Sequence, residues 1–240
     1  LTVGMGGISS TGDINLTAAG EAGADDDNLT ILGSVTSTSG NITQFADDNI
    51  YQQGDVSASG GDVTASTENG SIMMSSGVIT SADGSISFDS GGDIIQNASV
   101  TAGTSLDYDA AGTIDINAGI TATQGPIDID AVGLTTITEP GAIDSGGAVT
   151  FGADKSGELK TAANIKTSDD DVTFTNKVTL SGGDAKVLID TDSGAGNILF
   201  KSEVLTGGQS FTLDAGAAGN ITADKSITGG GAFTVTDGAV

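Results

Sequence analysis

Large apolar residues recur along this chain in three columns that repeat nearly from one end to the other. A residue of the second column precedes one of the third by six or seven positions, and the third precedes the next first by a similar interval. The first-to-second interval is longer, commonly eight to eleven positions and fifteen between Ile14 and Leu29. A period of about twenty-odd residues indicates a stack of one small unit, because a single unit cannot bury its apolar face alone.

The three columns are assigned by this spacing. The first contains Ile14, Ile42, Val63, Ile86, Leu106, Ile127, Val149, Val172, Val187, Phe211 and Phe233. The second contains Leu29, Ile50, Ile72, Ile94, Ile114, Ile137, Leu159, Ile198 and Ile221. The third contains Ile8, Val35, Val56, Ile79, Val100, Ile120, Ile143, Ile165, Val178, Val204 and Ile227.

Within each unit, apolar and polar positions alternate, as in Ser85–Asp89 and Ile127–Asp130. Alternation with a period of two predicts short strands, and the Gly pairs between them predict tight turns. We therefore expect an all-β fold, a right-handed parallel β-helix whose three-sided solenoid has about eleven coils of roughly 20–24 residues. The alternative is a left-handed helix of hexapeptides, but the six-residue spacing holds on two sides only.

The pattern predicts one β-solenoid segment over residues 1–240. The longest first-to-second interval predicts an acidic loop insertion at 17–28, and insertions at one corner commonly form a display edge. Between Val172 and Val178 the second column is skipped in our assignment. This omission predicts a short or two-sided coil, and a bend, at 172–187.

The chain has 38 Gly, 2 Pro and a formal net charge of −25. Its basic residues are seven Lys, all at or after Lys155. An acidic surface repels nucleic acid and anionic lipid, so we expect neither as a partner. No apolar run is long enough to span a bilayer, and we expect no membrane insertion. Because the chain starts at Leu1 inside the repeat pattern, we expect a mature product or an internal segment of a longer protein.

The composition bears directly on catalysis. The chain contains no His and no Cys, and its basic residues include no Arg, so Ser–His–Asp and Cys–His systems cannot be assembled. Acid pairs remain, Asp107 with Asp109 and Asp128 with Asp130, each spaced so that both side chains lie on the outer face of one strand. Glycoside hydrolysis would need one acid of a pair to stay protonated in a dry environment, whereas we expect this face to be open to water. The sequence therefore favours a protein that is not an enzyme.

Calcium is the candidate ligand, because turns that carry several carboxylates supply the hard oxygen atoms this cation prefers. The alternative is that these acids are simply solvated, and no other cofactor is expected. The candidate metal ligands are Asp25, Asp26, Asp27, Asp169, Asp170 and Asp171.

Three segments carry a family resemblance: Asp171–Gly183, Gly196–Ile198 and Gly12–Gly20. They resemble the filamentous-haemagglutinin-type repeats of giant bacterial surface proteins, and the likeness extends over essentially the whole chain. The resemblance implies a right-handed β-helical shaft in an adhesin or extracellular fibre, secreted to the bacterial cell surface or beyond.

A structural shaft or filament subunit is therefore the leading functional hypothesis. Ends that stop within the pattern are expected to pair with further β-helical segments, of the same chain or of its neighbour. One alternative is a module that binds calcium, or a glycan of a host surface or matrix, along the first-to-second loops. A second alternative is a polysaccharide-degrading β-helix enzyme.

Overall fold

The structure is a computed structural model that describes residues 1–20, 27–182 and 186–238. In these residues it contains thirty-two β-strands and no helix. Every strand belongs to one of three parallel sheets. We number the sheets 1, 2 and 3 after the predicted column that each contains up to Val172. Of the predicted insertion at 17–28, residues 21–26 lie outside the described part of the chain.

Each sheet contains every third strand of the chain. Sheet 1 contains β3 (Ile14–Ala18), β6 (Ile42–Ala46), β9 (Val63–Thr67), β12 (Ile86–Ser90), β15 (Leu106–Ala110), β18 (Ile127–Ala131), β21 (Val149–Phe151), β24 (Val172–Phe174), β27 (Ile198–Phe200) and β30 (Ile221–Ala223). Sheet 2 contains β1 (Thr2–Val3), β4 (Leu29–Ile31), β7 (Ile50–Gln52), β10 (Ile72–Met74), β13 (Ile94–Gln96), β16 (Ile114–Ile116), β19 (Thr135–Ile137), β22 (Leu159–Thr161), β25 (Val178–Leu180), β28 (Val204–Leu205) and β31 (Ile227–Thr228). Sheet 3 contains β2 (Ile8–Ser10), β5 (Val35–Ser37), β8 (Val56–Ala58), β11 (Val78–Ser81), β14 (Ser99–Ala102), β17 (Ile120–Ala122), β20 (Ile143–Ser145), β23 (Ile165–Thr167), β26 (Lys186–Asp190), β29 (Ser210–Asp214) and β32 (Phe233–Val235).

This arrangement is a three-sided parallel β-solenoid, which confirms the predicted fold class. Each strand pairs with the strand one coil away, in register, as Ile94 does with Ile114. The register offset varies from 19 residues, between Leu159 and Val178, to 28 residues, between Ile14 and Ile42. The coil length therefore changes while the columns stay aligned, because the turns absorb the difference.

The core is the inside of the solenoid, where like residues stack on like. Most three-residue strands bury their first and third side chains and leave the second partly exposed, as in Ile114–Ile116. In β21, β24 and β27 of sheet 1, the buried third residue of each strand is Phe. The rings of Phe151, Phe174 and Phe200 stack almost parallel, with centroids 5.2 and 4.7 Å apart. Burial of these columns supplies the main stabilising free energy, about 25 cal/mol per Å² of apolar surface.

Our prediction of a two-sided coil at 172–187 is wrong. Val178 lies in β25, which pairs with β22 and β28, so the coil that follows Val172 retains its second side. The connection from Val172 on sheet 1 to Val178 on sheet 2 is a short step of six residues. Six residues is also the usual interval before a residue of the third column, so the spacing assigned Val178 to the wrong side. The column assignments after Val172 consequently shift by one side. Sheet 1 contains Ile198 and Ile221, sheet 2 contains Val178, Val204 and Ile227, and sheet 3 contains Val187, Phe211 and Phe233.

Side chains at the corners form ladders of hydrogen bonds between successive coils. At the corner before sheet 1, Asn41 Oδ1 accepts from the backbone N–H of Asp62 at 2.8 Å, and Asp62 Oδ1 accepts from that of Ser85 at 2.8 Å. At the corner before sheet 2, Asn28 Oδ1 accepts from the backbone N–H of Asn49 at 3.0 Å. These bonds satisfy turn N–H groups that the sheets leave without a partner.

Candidate functional site

The predicted calcium ligands of the first cluster lie only partly within the described residues. Asp25 and Asp26 fall outside them, so calcium binding by that loop stays a prediction. Asp27 is described, and its backbone N–H donates to Asp48 Oδ2 at 3.1 Å. The Asp48 carboxylate therefore ties its own turn to the turn of the preceding coil.

The second predicted cluster serves the turns of the solenoid. Asp169 Oδ1 accepts a hydrogen bond from the backbone N–H of Gly194, one coil away. Asp171 Oδ1 accepts two, from the backbone N–H and the Nδ2 of Asn197, at 2.7 and 2.8 Å. The backbone oxygen of Asp170 accepts from Thr167 Oγ1. Across residues 1–20, 27–182 and 186–238, no group of three or more Asp or Glu residues is placed to hold a metal ion.

The most unusual chemistry lies on the outer face of sheet 1, in four aspartates that we call the acidic grid. Asp107 and Asp109 lie on β15, and Asp128 and Asp130 lie directly opposite them on β18. Neighbouring strands in a sheet are about 4.8 Å apart, so each acid has a like charge within interaction range. The predicted outward placement of both pairs is confirmed.

Two acids of the grid are less exposed to solvent than the sequence predicted. Asp130 is only 5% exposed, and its Oδ1 and that of Asp128 are buried with no hydrogen-bond partner among the described residues. Burial first, and then the charges of Asp130 and Asp107, raise the pKa of Asp128 to about 6. Burial is also the main cause of the raised pKa values of Asp107 and Asp130. Our expectation that this face is open to water is wrong at β18.

A loop from the next coil lies over the grid. We call residues 152–157 the strap, and it begins at Gly152, whose φ of 70° suits glycine. Lys155 Nζ forms an ion pair with Asp109 Oδ1, and the backbone N–H of Asp154 donates to Asp130 Oδ2 at 3.2 Å. Asn176 Nδ2 donates to the backbone oxygen of Lys155 and so ties the strap to the following coil.

The strap explains the burial of Asp130. Lys155 follows β21 and reaches Asp109 on β15, so its side chain must pass β18, the strand between them. The aliphatic stem of a lysine covers surface while its ammonium group pairs elsewhere. No pattern in the sequence predicts this cover, because the two residues of the ion pair are 46 positions apart. Chemically, the grid offers three carboxyl groups with raised pKa values, that of Asp128 being about 6, beside the amine of Lys155.

A shallow cleft of about 430 Å³ lies further along the same face of the solenoid. Its floor includes Leu199 and Thr222, and one wall is the corner ladder in which Asn220 donates to Asn197 Oδ1. The predicted ligand edge was the first-to-second turns, whereas this wall is the corner before sheet 1.

The two ends of the solenoid differ from its middle. Ile8 on β2 is 37% exposed and Phe233 on β32 is 48% exposed, although their counterparts within the stack, such as Val35 and Phe211, are fully buried. Within the described residues, β2 pairs only with β5 and β32 pairs only with β29. Each end therefore presents a sheet edge and the end of the apolar core together.

Comparisons of the chain with protein-family models, with curated proteins and with solved structures find no match. In the described part of the chain no helix has the length and hydropathy needed to cross a membrane. The fold and the geometry of the chain itself therefore carry the functional argument.

Proposed function

We propose that this chain is a non-catalytic structural shaft segment of an extracellular bacterial adhesin or filament, secreted to the cell surface or beyond. In this role the solenoid stacks end to end with further β-helical coils. The observation that carries the proposal is the set of apolar columns that stay in register from coil to coil. Within the described residues, the outermost strands β2 and β32 pair on one side only and leave apolar side chains of these columns exposed.

The physical reason is that a β-sheet edge with an apolar face is a template for another strand. At one end the template includes Ile8, and at the other it includes Phe233, both of which are exposed. An added coil would cover the apolar side chains and supply partners for the edge N–H and C=O groups. The long, in-register columns give the rod its length, and the corner ladders tie each coil to the next.

The repeat resemblance supports the same role. Segments such as Gly12–Gly20 and Asp171–Gly183 are similar to repeats that build β-helical shafts of bacterial surface proteins. The formal net charge of −25 adds lateral repulsion between rods, which favours contact at the ends over contact along the sides.

The test is self-association of the purified chain. Sedimentation velocity over a wide range of concentration, with electron microscopy of the concentrated sample, is expected to show rods that lengthen by end-to-end addition. Phe233→Asp, which places a charge on an open end, is expected to shift the association to higher concentration by at least tenfold.

Val132→Asp is the matched control, because Val132 is 54% exposed but lies on the side of the rod. This variant is expected to associate like the wild type. A wild-type chain that remains monomeric at every concentration contradicts the proposal. Equal weakening by both variants contradicts the assignment of the contact to the ends.

A further inference from the structure

Lys155 and Asp109 are held together by more than their charges. Lys155 Nζ is in contact with Asp109 Oδ1, two coils away, and the side chains of Lys155 and Asp109 are 22% and 40% exposed. The strap is fixed on both sides of the lysine, by the hydrogen bond from Asp154 N–H to Asp130 and by that from Asn176 to the Lys155 carbonyl oxygen. An amine and a carboxyl group fixed in this way have an effective concentration far above any in solution, on the order of 10⁵ M or more.

A proton-carrying group lies beside the pair. Asp130 is directly opposite Asp109 on the neighbouring strand, and its Oδ1 is buried without a hydrogen-bond partner in the described part of the chain. It is the only charged residue among the buried polar side chains of the described chain. A buried carboxyl group favours its protonated form, which can donate a proton to a neighbouring oxygen. Asp89 lies directly opposite Asp109 on the other neighbouring strand, β12.

We propose that Lys155 and Asp109 condense into an intramolecular amide, an isopeptide cross-link that joins the coil of β21 to that of β15. A proton passes from the Lys155 ammonium group to a carboxylate oxygen of Asp109, and the free Nζ attacks Asp109 Cγ. Asp130 supplies a second proton to the same oxygen, which leaves as water as its C–O bond breaks and the new C–N bond remains. A further proton returns from nitrogen to Asp130. An ammonium and a carboxylate become one amide and one water, so no oxidant or other reactant is consumed.

The other ion pairs of the described residues lack this arrangement. Lys177 Nζ is 3.3 Å from Glu158 Oε2, but the two side chains are 34% and 53% exposed. Lys166 Nζ is 3.9 Å from Asp192 Oδ2, and both side chains are about half exposed. Neither pair has a buried carboxyl group opposite its acid, and we expect both to remain ion pairs.

The cross-link would span β15, β18 and β21 and would oppose the separation of these coils. It does not depend on the proposed shaft function, because the bond forms within one chain whether or not the rods associate. A failure of end-to-end association would therefore leave this inference intact, and the reverse also holds.

The experiment is intact-mass spectrometry of the purified full chain under denaturing conditions. The expected mass is lower than the sequence mass by one water molecule, and tandem spectra of proteolytic fragments are expected to show Lys155 joined to Asp109. A mass equal to the sequence mass overturns the proposal. Loss of water located at Asp83–Gly84 or Asp237–Gly238, where a succinimide would form, also overturns it.

Variants separate the roles of the three residues. Lys155→Met and Asp109→Ala are expected to have their full sequence masses, whereas Lys177→Met is expected to keep the loss of one water. Asp130→Asn is expected to fold, as judged by circular dichroism, and to lose the cross-link while the ion pair remains. A cross-link that forms at the wild-type rate in Asp130→Asn overturns the assignment of the proton transfer to Asp130.

Discussion

Asp107 and Asp128 lie directly opposite each other on β15 and β18, with their carboxyl groups on the outer face of sheet 1. Like charges in this position destabilise a sheet, and the burial of Asp128 Oδ1 without a partner among the described residues adds to the cost. The structure relieves the cost by raising the pKa of Asp128 to about 6. The acidic grid is therefore a place where folding and proton binding are coupled.

The first prediction is a pH-dependent gain in stability for Asp128→Asn. Because the pKa of Asp128 is raised in the folded chain from an ordinary 3.8 to about 6, the folded state binds more protons between these values. Stability therefore falls as pH rises through this window, and the loss is complete above it. With allowance for solvent screening, we expect the variant to be more stable by on the order of 1 kcal/mol at about pH 7.5. Near pH 4 the difference should vanish.

Urea unfolding at the two pH values measures this difference. Asp115→Asn is the matched control, since Asp115 lies on the outer face of sheet 2 between Ile95 and Thr136, which carry no charge. It is expected to change stability little at either pH. A variant of Asp128 that is equally or less stable than the wild type at neutral pH would refute the coupling.

The second prediction concerns two buried glutamines with opposite roles. Gln44 is fully buried between Leu16 and Ala65 in sheet 1, and neither of its amide atoms has a partner among the described residues. Replacement by Met, which has a similar shape, removes an unpaired polar group. We expect Gln44→Met to increase the free energy of unfolding by about 1–3 kcal/mol.

Gln96→Met provides the contrast. Gln96 Nε2 donates to the backbone oxygens of Ala98 and Ala118 at 2.8 and 3.1 Å, and its Oε1 accepts from Tyr108 OH at 2.9 Å. We expect this variant to destabilise by about 1–3 kcal/mol, because it leaves the Tyr108 hydroxyl group buried and unpaired. The same sign of change for both glutamines, in denaturant unfolding, would show that the assigned hydrogen bonds do not control their stability.

The third prediction tests the corner ladders. The backbone N–H and the Nδ2 of Asn197 both donate to Asp171 Oδ1. Asn197 Oδ1 in turn accepts from the backbone N–H and the Nδ2 of Asn220. Asn197→Ala is expected to lower stability by about 1–2 kcal/mol, because these bonds join three successive coils. Asn117→Ala, which loses one bond to the exposed Asn97, should cost about 0.5 kcal/mol. Equal costs in thermal unfolding would argue against a structural role for the ladder.

The fourth prediction concerns the spacing of coils at the turn between sheets 2 and 3. A Cβ added at Gly54 would lie 2.2 Å from the backbone oxygen of Gly33. Gly54→Ala must therefore push the two coils apart, and we expect a loss of about 1–3 kcal/mol. A Cβ at Gly12 would meet nothing within 4 Å, and Gly12→Ala should be tolerated. Similar unfolding midpoints for the two variants would be inconsistent with the close approach of the coils.

Much of the fold could be predicted because the apolar period and the turn residues agree. From Ile14 to Val172 every column residue of sheet 1 was assigned to its correct side. The error after Val172 has a physical cause: an apolar residue specifies burial but does not specify which of three equivalent sides it covers. Only spacing distinguishes the sides, and the short turn before Val178 removed that distinction.

The chemistry of the grid was only half predictable. The spacing of Asp128 and Asp130 determined that both face outward, since the alternation along a strand is local. The burial of Asp130 depends on the strap and its Lys155. This lysine belongs to a different coil, and its place in the sequence does not predict which residue it contacts. Contacts across coils arise from turn conformations such as that at Gly152, and no periodic signal specifies them.

The central claim is that successive coils stack in parallel and in register, and distances along one sheet test it most directly. Because the chain has no Cys, paired spin labels can be introduced at cysteines that replace Thr36 and, in separate variants, Thr101, Thr121 and Asp144 on sheet 3. Pulsed electron paramagnetic resonance is expected to give distances from position 36 that grow by about 4.8 Å per strand in that order. Distances that do not increase in this order would contradict the parallel stack and everything inferred from it.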